Sequence, residues 1–438
     1  MSLISIRDFS CIKQADIKIK KVNVIIGPQG SGKSVATKLI YFFNDIIPSI
    51  ISRAEDGMTI NEFKAHIKRS FTVWFPPQAW GDKRFQINFN DGKFGVRILR
   101  RKMGGKLSGE VSVKFSPWLD ELYSVSQSAF NEINEKIYED DDEGVVTSHH
   151  IEMSSRIRGA IWSHIRRSAD FNVVNNQVFI PAGRAFFTSI GKMVAGLEQG
   201  VSLDPATLRF ARLFASWRDL PSYTPRALME ADFQDRRRKV MIEFFGGVVQ
   251  VKRESEFIEM EDGRKVPFSS LSSGQQELLP IWFFLDNIMS IDERNRHRSA
   301  IINRRTSDLI YIEEPEAHLF PKAQCDLLDV LISRVTGGNP RRRMIITTHS
   351  PYLMSRLNVL LTAGRLSRRR KINTKIGLIV PRESWLNIED FSALKIDDGV
   401  VSSIINDDEG LVDAVFLDEV SDVISQDFEN LLELEGGI

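Results

Sequence analysis

Cysteine is scarce: Cys11 and Cys325 are the only two in 438 residues. Two thiols cannot build a disulfide framework, so a reducing compartment, the cytoplasm, is expected. Histidine is also scarce, at seven, and no Cys/His group shows the spacing of a structural zinc site. No run of about 18 apolar residues occurs, and the first residues, Met1-Ser2-Leu3-Ile4-Ser5, lack a signal-peptide pattern. A membrane span and secretion are therefore not expected. Internal repeats and long heptad patterns are missing as well. What remains is 42% hydrophobic and 26% charged, the profile of a folded globular chain long enough for two lobes.

Net charge is absent too, with 58 basic and 58 acidic side chains, but the balance is uneven. Residues 386–438 hold fifteen Asp and Glu against one base, Lys395. Apolar positions there (Leu411, Val412, Val415, Phe416, Val420, Val423, Ile424, Phe428, Leu431) suggest ordered helix. Two readings of this tail stand open. It is a solvated acidic segment that aids solubility, or a docking segment for a basic partner, with Asp397, Asp398, Asp407, Asp408 and Glu409 among its charges. In the body, Arg236-Arg237-Arg238-Lys239, Arg341-Arg342-Arg343 and Arg368-Arg369-Arg370-Lys371 would track nucleic-acid phosphates or lie as solvated surface.

Alternation predicts strands at 4–6, 15–19 and 22–26, then at 71–74, 85–88, 96–99 and 111–115. Helical patterns cover 117–138, 154–168 and much of 185–238, with the acidic run 139–143 as a loop between the first two. Val173–Ile180 reads as a returning strand, and 240–252 with 257–259 as a hairpin. The last third alternates: strand 309–312, helix 322–335, strand 344–347, strand 376–380.

The strongest signal is Gly27-Pro28-Gln29-Gly30-Ser31-Gly32-Lys33-Ser34, which fits G-x-x-x-x-G-K-[ST] between a buried strand and the helical run 35–43. Glycines let backbone N–H groups curl around a β-phosphate, Lys33 reaches the β- and γ-phosphates, and Ser34 is a magnesium ligand. Lys33, just past the last loop glycine, is expected to face solvent without nucleotide. A second anion-binding helix start is offered by Leu271-Ser272-Ser273-Gly274-Gln275-Gln276, ahead of the helical run 277–289. A third signal, Leu309-Ile310-Tyr311-Ile312-Glu313-Glu314, is an apolar strand ending in paired carboxylates. Glu313 would hold magnesium and Glu314 would polarise the attacking water. Pro315-Glu316-Ala317-His318-Leu319 follows, and Met344-Ile345-Ile346-Thr347-Thr348-His349-Ser350 is a strand ending in His349, which by resemblance to an H-switch would sense the γ-phosphate.

These motifs, in the order P-loop, signature, Walker B, His switch, resemble ABC-type ATPases of the RecF/OLD/SMC branch. The run Glu313–Pro321 with Thr348-His349-Ser350-Pro351 looks like that of stand-alone ATPases in bacterial defence operons. The resemblance implies ATP and Mg²⁺ as cofactors, slow hydrolysis under the control of a partner, and a site shared by two heads. In such a site Ser273, Gly274 and Gln275 of one head face the P-loop of another. The sequence departs from the family at the Q-loop, where Val178–Arg184 holds no free-standing Gln after the strand, and Arg184 is the substitute phosphate contact.

The expected fold is α/β. An ABC-type head is formed by residues 1–116, with the P-loop and an antiparallel N-terminal sheet, and residues 261–385, with signature, Walker B and His switch. A mainly helical insert fills 117–260, with its return strand near 173–182, and 386–438 is the acidic segment. From Lys33 to Gly274 the chain runs 241 positions without heptads, so the insert is not an SMC or Rad50 arm. The 89 residues after His349 are too few for the Toprim nuclease of OLD-type proteins. The implied role is therefore that of an ATPase subunit working with a separate effector, similar to PARIS systems with a Toprim nuclease or Septu systems with an HNH nuclease. A RecF-like DNA-repair ATPase and a nucleotide-gated scaffold are the competing readings. Nucleic acid or a phage protein would be the further partner.

Overall fold

The structure is a computed structural model, and it describes residues 2–139, 146–167, 173–190, 203–219, 231–252, 255–296, 306–337, 339–406, 408–413 and 425–432. The acidic loop expected over 139–143, parts of the expected helical stretch 185–238, Asp407 and the apolar positions 415–424 lie wholly or mostly outside these residues.

Three short strands open the chain: β1 (Leu3–Phe9), β2 (Ile12–Lys18) and β3 (Val22–Ile26). β3 is buried at all five positions, as a strand with both faces covered must be. Helices α1 (Lys33–Asn44), α2 (Ile46–Glu55) and α3 (Ile60–Trp74) follow, then β4 (Gln86–Asp91), β5 (Phe94–Met103) and β6 (Lys106–Phe115). Next come α4 (Pro117–Glu139), α5 (Val146–Arg167), β7 (Val173–Ile180), α6 (Ala185–Ile190), α7 (Pro205–Asp219) and α8 (Ala231–Phe245). A small antiparallel sheet of β8 (Gly247–Val251), β9 (Glu256–Met260) and β10 (Lys265–Pro267) leads to α9 (Ser273–Arg296). The chain then alternates β11 (Thr306–Glu313), α10 (Pro321–Leu331), β12 (Arg342–Thr348), α11 (Pro351–Ser367) and α12 (Asn373–Ile379), and ends its main sheet with β13 (Phe391–Asp397) and β14 (Val400–Ser403).

Among the described residues eleven strands form one sheet in the order β6-β5-β4-β1-β2-β14-β13-β3-β12-β11-β7. From β13 to β7 every neighbouring pair is parallel; from β6 to β2 every pair is antiparallel. The expected mixed α/β head is thus one continuous sheet. Side chains of the central strands divide by the two-residue period. Ile25, Leu309, Tyr311 and Ile345 join one core cluster with α1 to α5, and Val24, Ile26, Ile310, Ile312 and Ile346 join the other with α9 to α12. The inserted helices α4 and α5 bury Leu119, Leu122, Tyr123, Ile157 and Ile161 in the first of these clusters, so they share the head's core.

Four sequence readings are corrected. Residues 71–74 end a helix, not a strand. Thr59 and Glu62 close a capping box, and Phe63, Ile67 and Phe71 fall on one buried face. Burying one such phenylalanine is worth about 1.5–3 kcal/mol, against a strand-propensity scale that spans about 1 kcal/mol per residue. Residues 376–380 are helix α12 and its cap; Ile376 is buried while Leu378 and Ile379 face outward. The hairpin begins only at Gly247, since 240–245 close α8 and Gly246 turns the chain at φ +66°. Finally, the segment expected as an acidic tail starts inside the head. β13 pairs with β3 beside the P-loop, and Asp397 and Asp398 form its hairpin turn with Gly399, bonded to Lys395 and Lys13.

Two of the three basic runs are likewise partly internal. Arg342 forks onto Asp292 at 2.7 Å through both terminal nitrogens, Arg237 pairs with Asp286, and Arg236 pairs with Asp232 and Glu293. Burial holds the Arg343 guanidinium below its ordinary pKa. Arg238 and Lys239, with Arg368, Arg369 and Lys371, keep the exposure expected of such runs. One stretch, Lys33–Glu55, is long and apolar enough to cross a membrane, and it is mostly buried in the head as α1 and α2.

Candidate functional site

Because β3, β11, β12 and β7 run parallel, their carboxyl ends meet on one side of the sheet, where ligands bind in open α/β folds. The residues singled out by motif sit there. After β3 the loop has no room for a side chain at Gly27. A Cβ on Gly27 would lie 2.3 Å from the Ile396 carbonyl oxygen and 2.8 Å from Ser31 Oγ. Gly30 and Gly32 take φ of +76° and +107°, which favour glycine. Gly32 caps α1 without a side-chain bond, leaving the helix's first N–H groups turned to the loop. Ser31 Oγ is buried with no hydrogen-bond partner, while Pro28, Gln29, Gly30 and Ser34 are exposed.

Lys33 departs from expectation. Its side chain is buried, folded back so that Nζ donates to the carbonyls of Gly27 at 2.7 Å and Pro28 at 2.9 Å. Burial lowers its pKa, opposed by the nearby carboxylates of Glu314, Glu316 and Glu313. The loop's carbonyls thus hold the ammonium group.

β11 delivers the two carboxylates to different surroundings. Glu313 ends the strand buried, hydrogen-bonded to the Ser34 hydroxyl and 3.4 Å from Thr37 Oγ1; burial raises its pKa above the ordinary carboxylate value. Glu314 turns into the left-handed region at φ +43°, held by its N–H on the Thr347 carbonyl at 2.8 Å, and its carboxylate is partly exposed. A non-glycine residue in that conformation costs about 1–3 kcal/mol and persists only where its surroundings fix it. His318 repeats the feature at φ +57°. At the end of β12, His349 is exposed, with Nδ1 3.7 Å from Glu314 and 3.5 Å from Glu316.

Glu316 is the residue that motif reading passed over. Its Oε1 accepts from Thr348 Oγ1 at 2.6 Å and from the His349 N–H at 2.9 Å, so it fixes the backbone that carries the histidine. The signal was a third carboxylate in Glu313-Glu314-Pro315-Glu316, two positions past the pair.

The signature loop opens α9. Ser272 caps it in a reciprocal box with Gln275, whose side chain also donates to the Phe245 carbonyl at 3.2 Å. The amide of Gln275 is therefore engaged within the chain, while Ser272 and Ser273 are exposed. Gly274 packs on the loop after Walker B: a Cβ there would stand 3.0 Å from the His318 carbonyl.

Arg184 is neither a surface arginine nor aimed at the P-loop. It is fully buried, and all five of its N–H donors end on backbone carbonyls. Nε bonds Glu277 at 3.0 Å, Nη1 bonds Pro181 at 3.3 Å and Glu313 at 2.8 Å, and Nη2 bonds Glu314 at 3.2 Å and Pro315 at 3.3 Å. The Glu277 carboxylate stands 3.2 Å from Nε. Desolvation is the chief influence on the pair, lowering the arginine's pKa and raising that of the glutamate. Hydrogen bonds to a charged group are worth about 1.5–3 kcal/mol each, enough in fivefold number to hold a buried guanidinium.

The site can therefore bind a triphosphate on loop N–H groups, place a metal between Ser34 and Glu313, and offer Glu314 to a water. Comparison with known proteins agrees in part. No curated protein matches the chain. Among solved structures, the SMC head domain from Thermotoga maritima aligns at 12% identity and TM-score 0.33, covering 92% of this chain and 98% of the other. The recombination mediator RecF aligns at 10% and 0.32, covering 92% and 97%. A dimeric ATP-binding cassette bound to ADP and Pi aligns at 10% and 0.27, covering 91% and 98%. Scores this low carry no weight alone. The profile of the family described as "AAA domain, putative AbiEii toxin, Type IV TA system" matches residues 22–355, from β3 through the start of α11. The chain belongs to that family, and with its P-loop, paired Walker B carboxylates and strand-end histidine it is an ABC-type ATPase.

Proposed function

We propose that this ATPase is the sensor and scaffold subunit of a bacterial anti-phage defence complex, in which two heads close on ATP and a separate nuclease effector is held and released. One observation carries the reading: the catalytic half is assembled within the chain, whereas the signature serines face outward. Ser31, Lys33 and the N–H groups of Gly27–Ser34, with Gln29 at the rim, would bind the triphosphate. Magnesium held by Ser34 and Glu313 would offset charge on the phosphates as they move. Lys33 would exchange two carbonyls for phosphate oxygens, a gain because both partners are then charged. Glu314 would take the water's proton, and His349, oriented through Glu316, would reach the γ-phosphate. Ser273 and Gly274 of a second head would close the site, with Gln275 bracing their helix. Support for a docked effector comes from residues 425–432, a helix that exposes Phe428, Leu431 and Leu432 beside Asp427 and Glu429. Acidic charge there would steer a basic nuclease of Toprim or HNH type.

The test is Glu314→Gln: ATP binding kept, hydrolysis stopped, a paired species in light scattering, and co-purification of the neighbouring nuclease from the whole operon. A monomer at saturating ATP would refute head closure. A second reading, a RecF-like DNA-binding ATPase, is favoured by the exposed Arg368, Arg369, Lys371 and Lys375. Duplex affinity that rises with ATP and falls steeply with salt would select it.

A further inference from the structure

We propose that Arg184 is a positioning residue that locks the signature helix to the Walker B turn, so that nucleotide on one head sets the signature loop that the same head presents to its partner. This coupling presupposes the closure of two heads proposed above and lies inside each head, where it links the two halves. Three segments far apart in sequence meet on one guanidinium: the end of β7 at Pro181, the turn Glu313-Glu314-Pro315, and Glu277 in the second turn of α9. Glu314 is the residue in left-handed backbone, and Arg184 holds its carbonyl while Thr347 holds its N–H. The strained turn is therefore gripped from both sides, one grip leading to β12 and His349, the other to the signature helix. Thr188, one turn after Arg184, donates to the Gln276 carbonyl at 3.0 Å, and Gly274 packs on the His318 carbonyl. The signature helix is thus fastened to the Walker B loop at Gly274 and, through Arg184, at Glu277, and to α6 at Gln276.

Such a link transmits motion because it is rigid and has no slack. A planar fork with every donor bonded cannot let the Glu313–Pro315 turn shift without pulling on Glu277. Movement of Glu314 toward a γ-phosphate would carry the N-terminus of α9 with it. Coupling of this kind is a difference in contacts between two states, with a named element joining them.

Lysine tests the idea because it keeps the charge opposite Glu277 but has three donors on a point, which cannot meet five carbonyls. Arg184→Lys should keep the KM for ATP within about threefold and lower kcat by about 30-fold or more. In a Glu314→Gln background, Arg184→Lys should also prevent the ATP-dependent pairing that Glu314→Gln alone displays. A merely structural arginine predicts a lower Tm and a smaller folded fraction, with kcat per folded molecule and pairing unchanged. That result overturns the proposal. If Arg184→Lys does not fold, Arg184→Met with Glu277→Leu removes both buried charges together, and the same two readouts decide in the same directions. Should Glu314→Gln alone fail to pair, head closure falls; should it pair and the double variant pair equally, only the coupling falls.

Discussion

The Walker B turn and the signature loop are both junctions at the same end of the sheet, and the fold treats them in opposite ways. In the turn, Glu313 is buried against Ser34, Glu314 is held in left-handed backbone from two sides, and Glu316 fixes His349. At the signature, Ser272 and Gln275 bond each other, and Ser272 and Ser273 stand in solvent. The difference teaches where each half gets its geometry. The carboxylates must be placed before the substrate arrives, because a pre-set dipole or base acts without reorganisation. In the proposed closure of two heads the signature serines would serve a phosphate on the other head, and their own chain would have no reason to bury them.

The comparison breaks most visibly at Glu314. Glu314→Gln should lower kcat by about 10²–10⁴ while ATP still raises Tm; hydrolysis near wild type would remove Glu314 as the base. Lys33→Ala should weaken ATP binding by about 10–100-fold, read as loss of ATP-induced stabilisation. Because Lys33 is buried on two carbonyls, its nucleotide-free Tm should also fall by about 2–4 °C, whereas a solvent-facing lysine predicts no change. Ser273→Arg probes the exposed half. Nucleotide-free Tm should move by less than about 1 °C and ATP binding to the lone head should hold, while hydrolysis drops about tenfold or more. Loss of ATP binding there would mean that the signature serves its own P-loop.

The smallest effect tests the buried half. Burial raises the Glu313 pKa above 4.5, so the folded state binds its proton more tightly than the unfolded one. Its contribution to stability is present at low pH and is lost as pH rises from the unfolded value through the folded one. Glu313→Gln should abolish that loss and raise Tm at neutral pH by about 1–3 °C, with metal-dependent hydrolysis gone. A lower Tm would show that the Ser34 and Thr37 bonds outweigh the desolvation.

The local motifs were legible because their chemistry lies in contiguous residues. Gly30 and Gly32 require glycine through their own backbone angles, and 309–314 reads as a strand ending in acids. Residues 71–74 and 376–380 were misread because a short apolar run satisfies both periods, and only the capping box at Thr59 and the single buried Ile376 decide. Lys33 was misjudged for another reason: the carbonyls that hold it belong to a loop whose curl depends on backbone angles. The tail reading failed at β13 because its acids sit in a hairpin turn, while its apolar positions Phe391, Ala393 and Ile396 fill a gap beside β3.

Sequence alone determined that this chain would cradle a triphosphate after a buried strand and end another strand in two carboxylates, since backbone freedom and side-chain chemistry at those positions are local properties. Tertiary structure decided what the charges do. Arg342 and Arg237 were claimed by Asp292 and Asp286, and Glu316 by the backbone of His349. Arg184 was claimed by five carbonyls from three separate segments. The physical reason is that a buried charge must find partners wherever packing brings them, and which carbonyls packing brings is settled only when the sheet closes.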